Sequence, residues 1–382
     1  MKIPEQNNPY NANKVLYHTD KLEKLRNNEL FAPTCIQIDL EAFCPHDCGF
    51  CAYRNAGFNA TGMQFLNPEW ADPNLQIQTG KPKGKVTKDS HIPKEIALNL
   101  LKQMKQEGIK AIEITGGGES LAYPYIKEFL QSCIDNDIEV ALVTNGQLLN
   151  KTIMDLLSNC NLKWIRFSMD ARNARTYAKV HGSNEATFFK IVDIITQMVF
   201  IRENSDSNFI IGISFVITKD NYNEIYDAAN FWEAIGVDNI RFTFEYNADY
   251  DSGLSEEQMN RVSILLDEAK EKEDDTFKVF AMKERPDYYA RENDDFSFCG
   301  YQFFTWAIGY NGKVYPCCIQ KYYPGFEIGD INSESLHDII YGEKRKAYIE
   351  RFNVKACKSC WLRSKNQVIE EALSKPMHEN FV

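Results

Sequence analysis

Three cysteines on one short segment constrain this chain more than any other feature of its sequence. Residues 44–51 read CPHDCGFC, which places Cys44, Cys48 and Cys51 at CxxxCxxC spacing. The segment follows an alternating apolar and polar run over residues 35–40, a pattern typical of a short half-buried strand. Three thiol groups are therefore expected to converge on one loop at the end of a strand.

Metal ligation explains such a loop better than disulfide bonding, because three close cysteines cannot all pair. A four-iron, four-sulfur (4Fe-4S) cluster usually takes four cysteine ligands, so a three-cysteine loop leaves one iron open to bind a small molecule. A structural zinc site would need four closed ligands, with His46 or a distant cysteine as the fourth. The chain has 11 cysteines and no secretory signal, which also favours metal ligation over a disulfide framework.

Composition narrows the class of protein further. The chain has 382 residues and is 44% hydrophobic, which suits one large domain and a smaller one. It contains no apolar run of about 18 residues, so we predict a cytoplasmic protein that does not enter the membrane. The formal net charge of -11 argues against a nucleic-acid partner, because nucleic acid normally meets a basic protein face.

Strand and helix patterns alternate through most of the chain. The predicted strands cover residues 35–40, 110–115, 139–144, 163–169, 209–218 and 239–245, and the predicted helices cover residues 94–107, 123–136, 150–158, 186–203 and 221–235. Such regular alternation predicts a parallel sheet, either an open barrel or a doubly wound layer. Functional residues are then expected at the carboxyl ends of the strands.

Glycines and polar residues follow several of these predicted strands. The second strand leads into Gly116, Gly117, Gly118 and Glu119, and glycines let a backbone approach a ligand closely. Asn145 follows the third strand, and Ser168 and Asp170 end the fourth. These side chains could hydrogen-bond a polar ligand, although Asn145 and Asp170 could instead cap the next helix. Arg241 on the sixth strand could meet a carboxylate or form a structural ion pair.

The C-terminal part carries a second group of cysteines. Cys299, Cys317 and the CxxC pair Cys357 and Cys360 could close a tetrahedral zinc site or hold a fully ligated 4Fe-4S cluster. Their spacing does not decide between the two. Cys318 is left over, and it could replace Cys317 as a ligand or be a buried apolar thiol.

The cysteine loop and the glycine segment together resemble the radical S-adenosylmethionine (SAM) superfamily. The resemblance implies a partial (β/α)6 TIM-like barrel in which the loop holds a 4Fe-4S cluster that binds SAM through its open iron. It also implies that Phe50 lies against the adenine and that the segment from Gly116 to Glu119 holds the methionyl amino group of SAM. Asn145, Ser168, Asp170 and Arg241 are further candidates for SAM contacts.

The C-terminal cysteines, with Gly312 ahead of Cys317, resemble the twitch domain, a shorter relative of the SPASM domain. This resemblance implies one auxiliary 4Fe-4S cluster, and hence two clusters in total. A radical SAM enzyme cleaves SAM to a 5'-deoxyadenosyl radical, using an electron from a donor such as flavodoxin or ferredoxin. The radical would abstract a hydrogen atom from a small-molecule or peptide substrate.

Three functional outcomes remain open from the sequence. A fully ligated auxiliary cluster favours acceptance of a substrate electron, and hence net oxidation or crosslinking. Redox-neutral epimerisation is the main alternative, with Cys318 as the hydrogen-atom donor. A non-catalytic protein with two structural zinc sites is an alternative from another class, although it would have no need for the glycine segment.

These patterns divide the chain into four predicted regions. They are an N-terminal extension (1–34), the core barrel (35–248), a linker with a helix (249–295) and a C-terminal twitch/SPASM-like domain (296–382). Residues 53–92 show no regular pattern, and long loops of this kind often act as lids. Residues 1–34 are too short for the leader-binding domain of many peptide-modifying relatives, which argues against a ribosomally made peptide as substrate.

Overall fold

The computed structural model describes residues 9–55, 86–205, 208–245, 253–281, 296–357, 360 and 362–374. Within these residues the strands form one sheet in the order β10-β9-β8-β1-β2-β3-β4-β5-β6-β7. The strands are β1 (Cys35–Asp39), β2 (Ala111–Thr115), β3 (Glu139–Thr144), β4 (Asn161–Ser168), β5 (Ile210–Ile217), β6 (Asn239–Phe244), β7 (Lys278–Ala281), β8 (Thr305–Ile308), β9 (Lys313–Tyr315) and β10 (Gly329–Asp330).

Helices connect most of the parallel strands and continue into the C-terminal part. They are α1 (Thr19–Arg26), α2 (Ala52–Asn55), α3 (Lys94–Gln106), α4 (Ile126–Asp135), α5 (Lys151–Asn159), α6 (Ala174–His181), α7 (Glu185–Glu203), α8 (Ile225–Ile235), α9 (Glu256–Lys270), α10 (Leu336–Tyr341), α11 (Glu343–Arg351) and α12 (Arg363–Leu373). Every strand and helix predicted from the sequence is present, with ends shifted by a few residues. The alternation of strand and helix therefore specified the α/β core correctly.

The sheet curls into a partial barrel. Strands β1 to β7 are parallel, and an interior cavity is lined by residues from β1, β2, β4, β5, β6 and β7. Along β1, Ile36 and Ile38 are completely buried in the main apolar core, whereas Gln37 faces the interior cavity. Burial of each such isoleucine stabilises the fold by about 1.5–3 kcal/mol. The apolar core thus lies between the barrel wall and the helices outside it. Polar side chains of the strands face the interior of the barrel.

Two elements of the barrel were not predicted from the sequence. Helix α6 has only eight residues, which is too short for a clear apolar period, but Asn173 caps its start and Gly182 ends it in the left-handed region at a φ of 55°. Strand β7 is a four-residue strand within the stretch predicted as a linker. Helix α9 begins with a capping box, in which the side chains of Ser255 and Gln258 bond to each other's backbone.

The C-terminal part joins the barrel sheet directly. Strand β8 pairs in parallel with β1, with Cys35 opposite Thr305, and β9 and β10 extend the sheet in antiparallel fashion. Among the described residues, no helix is long and apolar enough to cross a membrane. Residues 56–85, which form most of the possible lid loop, lie outside the described part of the chain.

Candidate active site

The glycine segment after β2 supports one side of the cysteine loop. The Gly118 N–H donates to the Glu41 carbonyl at 3.1 Å, and the Glu119 N–H donates to the Phe43 carbonyl at 2.8 Å. A side chain at position 118 could not fit, because a Cβ there would lie 2.3 Å from the Phe43 oxygen and 2.4 Å from the Ala42 carbonyl carbon. Glycine at this position therefore allows two loops to share backbone hydrogen bonds.

The end of α6 supports the other side of the cysteine loop. The Asp47 N–H donates to the His181 carbonyl at 2.9 Å, and the Gly49 N–H donates to the Val180 carbonyl at 3.1 Å. A Cβ on Gly182 would lie 2.5 Å from the Asp47 oxygen, so close approach also requires glycine here. Backbone hydrogen bonds on both sides thus hold the cysteine loop in place independently of a metal.

A cavity of about 280 Å³ opens beside this loop, at the carboxyl ends of the strands. We call it the upper cavity. The residues predicted for the cluster and for SAM that line it are Cys44, Cys48, Cys51, Phe50, Gly116, Gly117, Gly118, Glu119, Asn145, Ser168 and Asp170. Arg241 does not line it and lies in a second cavity. The structure therefore brings together residues from the ends of β1, β2, β3 and β4, and the most distant of them, Cys44 and Asp170, are 126 positions apart in the chain.

The Glu119 carboxylate is buried and already engaged in the protein. Its Oε1 accepts from the Thr144 hydroxyl at 2.5 Å, and its Oε2 accepts from the Asn145 N–H at 2.8 Å. The Asn145 side-chain amide points toward the Cys44 sulfur at 3.8 Å. The alternative that Asn145 caps the next helix is wrong, because Asn150 is the cap of α5. Glu119 thus joins the glycine segment to the end of β3.

Asp170 also has a role other than helix capping. It has a φ of 48°, and its Oδ1 accepts from the Val216 N–H at 2.5 Å. Helix α6 is capped instead by Asn173. The left-handed backbone at Asp170 turns its carboxylate toward β5 and into the lining of the upper cavity.

His181 is a residue of this site that the sequence did not reveal. Its Nδ1 lies 3.2 Å from the Cys48 sulfur, and its Nε2 lies 3.2 Å from Asp170 Oδ2 and 3.0 Å from the Met169 carbonyl oxygen. Burial by itself would lower the pKa of His181, but Cys48 and Asp170 raise this pKa to about 10. A protonated imidazole donates one N–H to the cysteine sulfur. The only sequence signal was a histidine next to the glycine that ends α6.

The spacing of the sulfur atoms tests which metal group fits. Within the described part of the chain, only one group of three metal-binding side chains has all its ligand atoms within 4.8 Å of one another. This group consists of His46, Cys48 and His181. Neither the loop cysteines nor the C-terminal cysteines form such a group. Thiolates on a single tetrahedral zinc lie about 3.8 Å apart, given zinc–sulfur distances of about 2.3 Å. The wider spacing suits a multi-iron cluster, which spreads its ligands over several metal atoms.

The C-terminal cysteines lie in a separate buried region. Cys317 and Cys360 belong to one apolar cluster, and Cys299 packs against it. Side-chain amides point at two of the sulfurs, from Gln320 to Cys357 at 3.9 Å and from Asn366 to Cys360 at 3.9 Å. N–H groups directed at cysteine sulfur are typical of iron-sulfur sites, where they tune the cluster.

A second cavity, of about 470 Å³, occupies the barrel interior below the upper cavity. We call it the lower cavity, and its polar lining includes Gln37, Glu113, Arg166, Arg241, Lys270, Cys318 and Lys365. Arg166 precedes Ser168 by two residues on β4, which is a distance of about 7 Å along a strand. The lower cavity therefore begins two residues earlier on β4 than the residues that line the upper cavity.

The fold and these two cysteine sites define a radical SAM enzyme, and comparison with known families agrees. Residues 40–232 match the radical SAM superfamily, which is just over half of the chain, and residues 299–361 match the SPASM iron-sulfur cluster-binding domain. The chain therefore belongs to the radical SAM superfamily. Its cofactors are SAM and iron-sulfur clusters, one of them auxiliary.

Several curated proteins are similar to parts of the chain. An S-adenosylmethionine-dependent nucleotide dehydratase from Flammeovirga pacifica is 28% identical over 142 residues, covering 37% of this chain and 47% of that protein. The subtilosin biosynthesis protein AlbA from Bacillus subtilis is 24% identical over 233 residues, covering 61% and 49%. The PqqA peptide cyclase from Granulibacter bethesdensis is 19% identical over 324 residues, covering 81% and 74%. The first two matches span about half the length of those proteins.

The fold also resembles that of a solved enzyme. Streptococcus suis SuiB bound to its precursor peptide SuiA matches with a TM-score of 0.60 and 15% sequence identity, covering 98% of this chain and 84% of SuiB. At this level of identity the likeness establishes the fold, which is the predicted partial barrel with a C-terminal SPASM region.

Proposed function

We propose that this protein oxidises or cross-links a peptide by radical SAM chemistry. When bound, SAM and its cluster supply a 5'-deoxyadenosyl radical that takes a hydrogen atom from the substrate. The observation that carries the proposal is the place of the lower cavity. The lower cavity begins two residues along β4 from the upper cavity, and its lining includes Cys318, which is next to Cys317 in the chain. A substrate there would lie next to both cysteine sites.

The residues of each site have separate roles in this proposal. Cys44, Cys48 and Cys51 would hold the SAM-binding cluster, and the auxiliary cluster would be held by Cys299, Cys317, Cys357 and Cys360. SAM would be bound by Phe50, Gly116, Gly117, Gly118, Glu119, Asn145, Ser168 and Asp170. After the substrate loses a hydrogen atom, it would lose a proton and an electron, and the auxiliary cluster beside Cys318 would accept that electron. The net change is the loss of two hydrogen atoms.

A peptide substrate is favoured by the relatives. AlbA is named for bacteriocin biosynthesis, the PqqA cyclase for a peptide, and SuiB was solved with a precursor peptide. The lower cavity falls in the size range of ligand sites, about 300–1,000 Å³, and would admit one or two residues of a peptide. The length of residues 1–34 led us to expect a substrate other than a ribosomally made peptide. The relatives instead favour a peptide substrate.

The test is to incubate the iron-loaded protein anaerobically with SAM, reduced flavodoxin or ferredoxin, and peptides encoded by neighbouring genes. We expect roughly eight irons per chain, formation of 5'-deoxyadenosine, and a peptide product lacking two hydrogen atoms. Cys48→Ala should abolish both products. Turnover that persists in Cys48→Ala, or iron-loaded protein that never forms 5'-deoxyadenosine, would contradict the proposal.

Redox-neutral epimerisation is a second candidate, because Cys318 faces the lower cavity where a thiol could return a hydrogen atom to a substrate radical. Epimerisation would leave the peptide composition unchanged and introduce deuterium from heavy water. Cys318→Ala would stop that exchange. If the enzyme is an oxidase, Cys318→Ala should still yield the product that lacks two hydrogen atoms.

A further inference from the structure

The C-terminal part carries a basic segment that the proposed function leaves without a role. Residues 344–365 contain eight lysines and arginines and a single acidic residue, Glu350, although the whole chain has a net charge of -11. Cys357 and Cys360, which we assign to the auxiliary cluster, lie in the same segment. Positive charge is therefore concentrated beside the auxiliary site of an otherwise acidic chain.

Four cations of this segment have exposed side chains on α11 or just after it, and we call them the basic face. They are Lys344, Lys346, Arg351 and Lys355. Lys344 and Arg351 are seven residues apart, which places them on the same side of the helix about two turns from each other. Lys346 pairs with Glu343 at 2.6 Å, but both side chains are exposed, and water weakens such a pair. The face thus presents more positive than negative charge to a partner.

A short series of contacts joins the basic face to a cysteine of the auxiliary site. The guanidinium carbon of Arg351 lies 5.7 Å from the centroid of the Tyr348 ring. The Tyr348 hydroxyl donates to Gln320 Oε1 at 2.8 Å, and Gln320 Nε2 points at the Cys357 sulfur at 3.9 Å. Lys355 is two residues from Cys357 in the chain. A protein bound to this face would therefore lie a few side chains from the auxiliary cluster.

The auxiliary cluster needs an outlet for electrons. Net oxidation of the substrate leaves one electron on this cluster in each turnover, and the cluster has to lose it before it can accept the next. Complexes that transfer electrons between proteins are usually small and weak, and attraction between opposite charges speeds their formation. A basic surface beside the cluster therefore suits an electron carrier with an acidic surface.

We propose that the basic face docks an acidic flavoprotein of the flavodoxin type, which removes the substrate electron from the auxiliary cluster. This inference rests on the proposed function for the need to remove an electron. In the transfer, the reduced cluster loses one electron, and the oxidised flavin gains that electron together with a proton from water. No bond to carbon forms or breaks, and the cluster returns to its oxidised state.

The experiment follows the reduction of oxidised flavodoxin by the reduced, iron-loaded protein in a stopped-flow spectrometer. Flavin absorbance gives the second-order rate constant, which is measured at low and at high salt concentration. The measurement is repeated on the full-length variant Cys44→Ala, Cys48→Ala, Cys51→Ala, which should keep about four irons and supply electrons from the auxiliary cluster alone. We expect both proteins to react faster at low salt, because salt screens the attraction between exposed charges.

Charge reversal then tests whether the attraction arises from the basic face. We expect the combined variant Lys344→Glu, Arg351→Glu, Lys355→Glu to lower the rate constant at low salt at least about tenfold, and to lower it less at high salt. A second variant, Lys344→Glu with Lys346→Glu, keeps the bond from Arg351 to the Gly325 carbonyl. It provides the test if the first variant does not retain its iron.

The matched control reverses three exposed cations on other helices. Lys102→Glu, Lys127→Glu and Arg261→Glu on α3, α4 and α9 change the net charge of the chain by the same amount as the first variant. We expect this control to react much faster than the basic-face variant, because it leaves the charges beside the auxiliary cluster in place.

A rate constant that falls equally in the basic-face and control variants, or in neither, would overturn the inference. A basic-face variant that reduces flavodoxin normally but binds the peptide substrate more weakly would also overturn it, because the face would then hold the peptide. Formation of 5'-deoxyadenosine and of the oxidised peptide is followed separately in the original protein. Their absence would disprove the proposed function, whereas an unchanged rate constant after charge reversal would disprove only the docking site.

Discussion

The imidazole of His181 lies in a line of polar contacts that runs from Asp170 to Cys48. Asp170 and His181 are each only 1% exposed, so the pair has little access to water. The carboxylate stabilises the charged imidazole, and the imidazole in turn donates to a sulfur that we assign to the cluster. Such a contact favours the more negative, reduced state of an iron-sulfur cluster.

Replacement of His181 should therefore change the reduction potential of that cluster. We expect His181→Phe to lower the midpoint potential by tens of millivolts, because one hydrogen bond is worth about 1 kcal/mol, or about 40 mV for one electron. The measurement is a redox titration followed by electron paramagnetic resonance. Tyr177→Phe is the matched control, since it keeps the ring that stacks on His181 at 4.3 Å and removes only a hydroxyl that lies 3.5 Å from His46 Nε2. An unchanged potential in fully iron-loaded His181→Phe would contradict this role.

At the scale of elements, the cysteine loop depends on the two loops that pack against it. The glycine segment after β2 donates two backbone hydrogen bonds to Glu41 and Phe43, just ahead of the loop, and the end of α6 accepts two from Asp47 and Gly49 within it. These contacts hold the cysteines at the carboxyl ends of the strands, where parallel α/β folds place their ligands. The geometry of the site is therefore set by loop-to-loop packing.

Gly118→Ala should disrupt this packing. The new methyl group would lie 2.3 Å from the Phe43 oxygen, which is backbone and cannot move aside alone. We expect a loss of iron from the SAM-binding cluster and a destabilisation of about 1–3 kcal/mol, measured by iron analysis and thermal unfolding. Gly49→Ala is the matched control in the same loop, because a Cβ there meets nothing within 4 Å. Equal iron content in the two variants would be evidence against the packing argument.

At the scale of the whole molecule, a buried ion pair joins the C-terminal part to the barrel. Lys321 Nζ lies 2.5 Å from Asp39 Oδ2, and the Tyr322 hydroxyl donates to the same oxygen at 2.6 Å. Lys321 and Asp39 are 4% and 0% exposed. Burial by itself would lower the pKa of Lys321, but Asp39 raises this pKa above its ordinary value and so favours the charged ammonium.

Removing one partner should destabilise the protein strongly, because the other charge would remain buried and unpaired. We expect Lys321→Met to lower the free energy of unfolding by about 3–5 kcal/mol, measured by chemical denaturation. Lys346→Met removes an exposed pair with Glu343 and should change it by less than about 1 kcal/mol. The double variant Asp39→Asn, Lys321→Met should recover part of the loss. Equal effects of the two lysine substitutions would show that the buried pair does not join the two parts.

The sequence by itself determined the features that depend on near neighbours. The CxxxCxxC loop, the glycine segment and the alternation of strands and helices lie within short stretches, and local spacing specifies them. They were sufficient to predict the α/β core, the superfamily and the cofactors.

Only the tertiary structure decided which distant residues meet. Arg241 lies with Arg166 in the lower cavity instead of beside the upper one, and His181 reaches Cys48 across 133 positions of the chain. Tyr322 bonds to Asp39 across 283 positions. Such contacts exist because the sheet curls and β8 pairs with β1, and no local pattern encodes where a curled sheet brings two side chains together.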